Sequence, residues 1–407
     1  MTTSCLPRAE VPEQVGLSSE RLTRLADFIV KEVEQEVIPG ATLAIARGGR
    51  LACAQAFGFQ DAASETPMRL DSIFRIASMT KPVVSVAAMM LAEEGRLDIG
   101  APVADYIPLF ENLTVGAERR KATRTMTVQD LLRHTSGLTY AAFGDSPVQM
   151  IWRDANLMDE NQTNEELVGK LAKLPLMFEP GTTWEYSMST DVLGRVVEVV
   201  SGQSLGGFIA ERITGPLGMI DTAFAATGEK AKRVAEPLAD KTTGKKPPMR
   251  DPAKEPRWQS GGGGLAGTAP DYIRFCQMLL NGGELDGVRI LAPKSVALMA
   301  ADHLPPGCEY GETARSRFGQ LAPVPEMGYG FGLGFCVRKA QGMSPAPGSV
   351  GEFFWGGVLG TYFWIDPQEQ MVTVLMMQAP DQRLRYRTMI RRLVYAAMTG
   401  PARGRRR

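Results

Sequence analysis

A long apolar helix, predicted from about Pro82 to Glu94, follows directly on Ile76-Ala77-Ser78-Met79-Thr80-Lys81. The rest of the chain has to be arranged around its entrance. Ser78 and Lys81 are three residues apart, so on a helix they share one face. The first backbone N–H groups of a helix have no partner within it, and its dipole favours negative charge there. A serine so placed can pass its proton to a nearby lysine and can hold a developing oxyanion with its own N–H. The S-x-x-K spacing occurs once in the chain. By itself it is a weak signal, because a first-turn serine followed by a solvated lysine arises more often by chance, so other residues have to decide.

Composition narrows the alternatives. A chain of 407 residues suits one large domain with an insertion, or two domains. Lys plus Arg and Asp plus Glu both number 45, so no global field favours nucleic acid or an anionic membrane. The one charge run, Arg403-Gly404-Arg405-Arg406-Arg407, reads as a solvated tail. The five cysteines, Cys5, Cys53, Cys276, Cys308 and Cys336, include no C-x-x-C pair, and an odd count argues against a complete disulfide framework. No apolar stretch nears the length of a membrane span, and the first twenty residues lack an apolar run. A cytoplasmic protein is expected. The two histidines, His134 and His303, are a firm limit: a His-rich metal site is excluded, and a Ser-His-Asp triad would need one of them. Neither metal nor cofactor is expected.

Periodicity supplies the outline. Ser18-Ser19 cap a predicted helix reaching about Glu36, with Leu22, Leu25, Phe28, Ile29 and Val33 on one face. Residues Ala41 to Arg47 and Leu51 to Gly58 read as strands joined at Gly48-Gly49. The pattern then turns helical, with helices at Val128 to Arg133, Asn164 to Leu174 and Asp191 to Ser201. Lys230 to Trp258 reads as a surface loop, and Gly261 to Leu265 as the return to a strand. Helices follow at Asp271 to Leu280 and Pro293 to Ala300, one strand over Tyr329 to Val337, and a strand pair over Gly360 to Ile365 and Met371 to Met377. A helix from Arg383 to Met398 closes the chain. The expectation is an α/β (α+β) protein in which residues 1–110 and 219–407 share one antiparallel sheet between helices, while 111–218 form an inserted helical domain.

A nucleophilic serine needs a base. His134, in Leu-Leu-Arg-His-Thr-Ser-Gly-Leu, reads as a loop-fixing residue, and His303 sits in a polar loop with no evident partner. The base is therefore expected to be Lys81, provided that burial or nearby positive charge brings its pKa down from about 10.4. Tyr186, after the Glu179-Pro180-Gly181 turn, is the expected tyrosine partner; a tyrosinate beside a lysine is held by its charge. Trp355-Gly356-Gly357-Val358 could bring a second backbone N–H close to substrate. Two further motifs are set aside. Gly202-Gln203-Ser204-Leu205-Gly206 matches a nucleophile elbow but lacks surrounding βα units, and Gly262 to Gly267 matches G-x-G-x-x-G but follows a polar stretch.

In this order, Ser78-Met79-Thr80-Lys81, His134 to Leu138, Pro180-Gly181 with Tyr186-Ser187, Gly261 to Gly267 with Thr268 to Asp271, and Trp355-Gly356-Gly357 resemble the family VIII carboxylesterases. Those enzymes are β-lactamase-like serine esterases, similar to class C β-lactamases and D-alanyl-D-alanine carboxypeptidases. The resemblance spans roughly Leu17 to Ala397. It implies a three-layer sandwich plus a helical domain, with the site in the cleft. It further implies Ser78 as nucleophile, Lys81 and Tyr186 as base partners, and Ser78 and Val358 N–H groups as oxyanion hole. Tyr140 would line the acyl pocket, and Trp355, Gly356 and Gly357 would meet substrate. Two departures matter. The Lys-Thr-Gly of β-lactamases is Trp355-Gly356-Gly357 here, and Y-x-N is Tyr186-Ser187-Met188. Both favour neutral short-chain esters over anionic β-lactams. The rival expectations are β-lactam or D-amino-peptide hydrolysis, acyl transfer, and a non-catalytic binding protein.

Overall fold

The computed structural model describes residues 5–247, 249–312 and 314–400; the arginine-rich tail lies outside them. Its centre is an antiparallel sheet of eight strands. These are β1 (Gly40–Arg47), β2 (Arg50–Asp61), β3 (Thr66–Pro67), β4 (Tyr329–Phe331), β5 (Cys336–Arg338), β6 (Phe353–Gly356), β7 (Tyr362–Asp366) and β8 (Met371–Met377). Their order is β4-β5-β6-β7-β8-β1-β2-β3, so the two ends of the chain meet where β1 pairs with β8, Ala41 opposite Met377 and Arg47 opposite Met371. Every residue of β1, β7 and β8 is buried, as expected of central strands covered on both faces. Gly48 and Gly49, with φ of 58° and 76°, make the β1–β2 turn that their sequence signals.

The helices are α1 (Ser19–Glu34), α2 (Thr80–Glu93), α3 (Val128–Leu132), α4 (Pro147–Arg153), α5 (Asn164–Leu171), α6 (Ser189–Ser201), α7 (Leu205–Ile209), α8 (Ala269–Leu280), α9 (Pro293–Met299), α10 (Ala314–Phe318) and α11 (Arg383–Ala396). α1 packs on β2 and on α11, and α8 packs on β1, β7 and β8, which gives the three layers. α2 is buried along almost its whole length, from Thr80 to Leu91, and it lies against α6. Among the described residues no helix is long and apolar enough to cross a membrane.

Three expectations need correction. Gly261 to Leu265 is not a strand: Gly261–Gly263 form a turn, and only Ala266–Gly267 pair, with Phe74–Arg75. Tyr329 to Val337 is not one strand but the hairpin β4–β5. Its glycines face crowded backbone, since a Cβ on Gly332 would lie 2.1 Å from the Met299 carbonyl oxygen. The Lys230 to Trp258 segment is irregular but not merely superficial: Ala235 and Trp258 are buried, and Arg75 donates from Nε to the Arg250 carbonyl at 2.6 Å. One helix that the periodicity missed, α4, carried a readable signal. Ser146 and Gln149 form a capping box around Pro147.

Candidate active site

Ser78 sits in a 3-10 turn, Ala77–Met79, that leads into α2. The turn is held from several sides. Thr361 Oγ1 donates to the Ile76 carbonyl at 3.0 Å, Tyr272 Oη donates to the Met79 carbonyl at 2.8 Å, and Thr80 Oγ1 accepts the Leu265 N–H at 3.1 Å. Ala77 takes φ of 47°, a region unfavourable to a residue with a Cβ, immediately before the serine. Such a bend is kept only where the surroundings dictate it, and here it leaves Ser78 half-exposed while both neighbours are buried.

Lys81 is buried at 1% exposure, and its Nζ donates to three oxygens. Gly262 O lies at 2.7 Å, Tyr140 Oη at 3.1 Å and Ser78 Oγ at 3.5 Å. The glycine turn is fixed in its own right. Asp191 Oδ1 accepts from the Gly262 N–H at 3.0 Å and from Ser260 Oγ at 2.6 Å. Burial raises the Asp191 carboxyl above the usual range, against the pull of the Lys81 charge and of these hydrogen bonds. Burial likewise holds the Tyr140 hydroxyl well above its ordinary value, and the nearby Asp191 and Tyr186 oxygens push the same way.

Tyr186 meets Lys81 differently. Nζ stands 4.5 Å from the centre of its ring, while its hydroxyl accepts from Trp355 Nε1 at 3.3 Å. The ring is clamped by His134, Phe318 and Trp355, with centroids 4.9, 5.3 and 5.2 Å away. His134 is buried, takes φ of 60°, contacts Ser187 Oγ at 3.3 Å and accepts the Glu185 N–H at its carbonyl. Burial first, and the Lys81 charge second, keep its imidazole well below the usual pKa. It is a neutral support for the tyrosine loop. His303, for which the sequence suggested no partner, bonds Gln129 Nε2 and the Leu298 carbonyl.

A cavity of about 480 Å³ opens over Ser78. Tyr140, Tyr186, Gly356 and Val358 line it, together with Phe143 and Trp258. Trp355 and Gly357 are not on its wall, contrary to expectation. The Trp355 ring is buried behind Tyr186, with its N–H engaged there, and Gly357 lies in the backbone against Ile76 and Ala77. The partnership that sequence reasoning missed is that of Tyr140 with Lys81; its place just after His134 to Leu138 pointed to the pocket but not to the lysine. Ser204 caps α7 and accepts the Gly207 N–H, following a helix rather than a strand, so the elbow geometry is absent. Among the described residues no cluster of His, Cys, Asp and Glu could hold a metal ion.

Residues 25–396 match the family model described as Beta-lactamase. The chain belongs to the beta-lactamase family. Within it, the chain is 30% identical over 383 residues to Esterase EstB of Burkholderia gladioli, spanning 87% of this chain and 90% of that one. It is 34% identical over 372 residues to a Mycobacterium tuberculosis protein, Rv1367c, with 86% and 89% covered. Among solved structures it is similar to EstCE1, a hydrolase with promiscuous acyltransferase activity, at a TM-score of 0.78 and 27% identity over 92% of this chain and 99% of that one. This member of the beta-lactamase family is a serine hydrolase with the fold of the family VIII-like esterases.

Proposed function

We propose that this beta-lactamase family member hydrolyses short-chain carboxylic esters through an acyl-enzyme on Ser78. The observation that carries the reading is the buried Lys81 Nζ within hydrogen-bond reach of both Ser78 Oγ and Tyr140 Oη, two residues that line the cavity. The Ser78 hydroxyl attacks the ester carbonyl, and its proton leaves towards Lys81 and Tyr186. The backbone N–H groups of Ser78 and Val358 hold the tetrahedral oxyanion. The alcohol departs with a proton, and water then attacks the acyl-enzyme to release the acid and restore Ser78. In this reading residues 1–110 and 219–407 make one domain and 111–218 the other, with the cleft between them. Ser78 and Lys81 come from the first, and Tyr140 and Tyr186 from the second. The names borne by EstB and EstCE1 agree with it. A cytoplasmic location fits the five free cysteines.

The test compares wild type and Ser78→Ala on p-nitrophenyl esters of increasing acyl length and on a chromogenic cephalosporin. Rapid turnover of acetate to butyrate esters, lost in Ser78→Ala, is the expected result. Ester turnover that survives the substitution refutes the reading, and cephalosporin turnover equal to ester turnover points to a β-lactamase instead.

A further inference from the structure

The cavity wall carries three arginines, Arg317, Arg383 and Arg387, against one carboxylate, Asp191, which is already engaged by Ser260 and the Gly262 N–H. Elsewhere in the interior the buried arginines meet carboxylates: Arg47 with Glu369, and both Arg338 and Arg391 with Glu352. The cavity arginines do not. Among the described residues, Arg317 donates to the Ala142 carbonyl at 3.1 Å, Arg383 to Pro380 at 2.8 Å and Arg387 to Gly357 at 2.7 Å; none of the three forms an ion pair, although Glu185 lies near enough to Arg317 to feel its charge. The Nε groups of Arg317 and Arg387 are buried without any partner. Arg387 is only 7% exposed, and burial without a carboxylate brings it down to about 10. An unpaired buried guanidinium is costly to hold, so its persistence at a cavity calls for a ligand.

The local backbone is shaped for it. A Cβ on Gly356 would lie 2.7 Å from Nη2 and 2.8 Å from Cζ of Arg387, so the bare glycine makes the room in which that guanidinium rests. The carbonyl it grips belongs to Gly357, which abuts Ala77, the residue before Ser78. Arg383 lies four residues before Arg387 on α11 and so shares its face. Arg317 lies over the Phe143 ring, 3.5 Å from its centre.

We infer that Arg317, Arg383 and Arg387 form an anion subsite of the acyl cavity, and that the preferred esters carry a carboxylate a few bonds from the scissile carbonyl. A planar guanidinium offers paired donors that match a carboxylate. The inference rests on the ester-hydrolase reading and reverses the expectation of neutral esters, because arginines on α10 and α11 supply the cation that the missing Lys-Thr-Gly does not.

Two esters with one acyl group and one frame, 4-acetoxybenzoate and methyl 4-acetoxybenzoate, differ in that charge. With each rate normalised to its hydroxide-catalysed hydrolysis, wild type should favour the carboxylate in kcat/KM by roughly tenfold. The preference should fall towards unity in Arg387→Met, diminish in Arg317→Gln and fade with added salt. Should Arg387→Met fail to fold, the half-exposed Arg317 and Arg383 still carry the test as Gln variants. A second measurement needs no turnover: benzoate and benzamide binding to Ser78→Ala by calorimetry, with and without Arg317→Gln. Selective benzoate binding that Arg317→Gln weakens supports the subsite, even if no ester is cleaved, in which case the hydrolase reading alone fails. Equal binding of benzoate and benzamide, or equal turnover of the two esters, overturns the subsite and leaves the hydrolase reading intact.

Discussion

Tyr140 and Tyr186 both touch Lys81, but by different surfaces, and that difference separates their roles. The Tyr140 hydroxyl takes an Nζ hydrogen at 3.1 Å, whereas Tyr186 offers its ring face and its hydroxyl is engaged by Trp355. Tyr140→Phe removes one of three oxygens around the lysine and should lower kcat on short esters by on the order of tenfold to hundredfold, with KM little changed. A change confined to KM would mean that Tyr140 only lines the pocket. Glu185, one residue before Tyr186, sets a pH dependence. Burial raises its carboxyl from 4.5 to about 7, with the Thr139 hydroxyl and the Arg317 charge pulling the other way. Between these values the folded protein keeps a proton that the unfolded chain has released. Stability therefore falls as pH rises from 4.5 to 7, by at most about 3 kcal/mol from this group. Glu185→Gln cannot ionise, so its thermal midpoint relative to wild type should rise between pH 5 and pH 8; an unchanged difference would show that the carboxyl titrates normally.

At the scale of elements, the turn Gly261–Gly263 matters more than any strand near it. Its carbonyl holds Lys81, and a Cβ on Gly262 would lie 2.3 Å from Asp191 Oδ2. Gly262→Ala should displace the turn and lower kcat by roughly tenfold to hundredfold. Gly169→Ala, on α5 where added carbon meets open space, should leave turnover unchanged and serves as the control. Wild-type turnover in Gly262→Ala would mean that Lys81 does not depend on this turn. The same glycines explain why some elements were hard to read. A helix announces itself by a repeat of 3.6 residues and by caps, as α1 and α8 do with Ser18 and Thr268, whereas α2 was legible as one long apolar run. A glycine required by a distant neighbour leaves no periodic mark. Gly334, where a Cβ would come 2.4 Å from Ser85 Oγ, splits the β4–β5 hairpin because α2 passes there.

For the molecule as a whole, the closing helix is tied to the sheet by charge as well as by apolar packing. Glu352, fully buried, accepts from Arg338 Nε at 2.8 Å and from Arg391 Nη1 at 2.6 Å, and Arg391 also donates to Tyr362 Oη at 2.7 Å. Glu352→Gln leaves two buried guanidinium groups without a counter-charge and should destabilise the protein by about 3–5 kcal/mol. A lowered thermal midpoint checks this; an unchanged midpoint would mean that the network is replaceable. α11 is also the helix that carries Arg383 and Arg387 to the cavity, so the fold's closing element and the proposed anion subsite are one structure.

The S-x-x-K spacing, the apolar helix behind it, the β1–β2 hairpin and the scarcity of histidine were legible in the sequence because each depends on residues close along the chain or on composition alone. Strands at both ends of the chain suggested one shared sheet with helices on its faces, and the family resemblance implied the three-layer order. The partners of Lys81 were not legible. Tyr140 is 59 residues away and Gly262 is 181 away, and only the closing of α2, the glycine turn and the tyrosine loops around one buried amine brings them to hydrogen-bond distance. The unpaired arginines were hidden for the same reason. A sequence shows that a guanidinium exists, but whether an acid or an open cavity faces it is decided by packing between segments far apart in the chain.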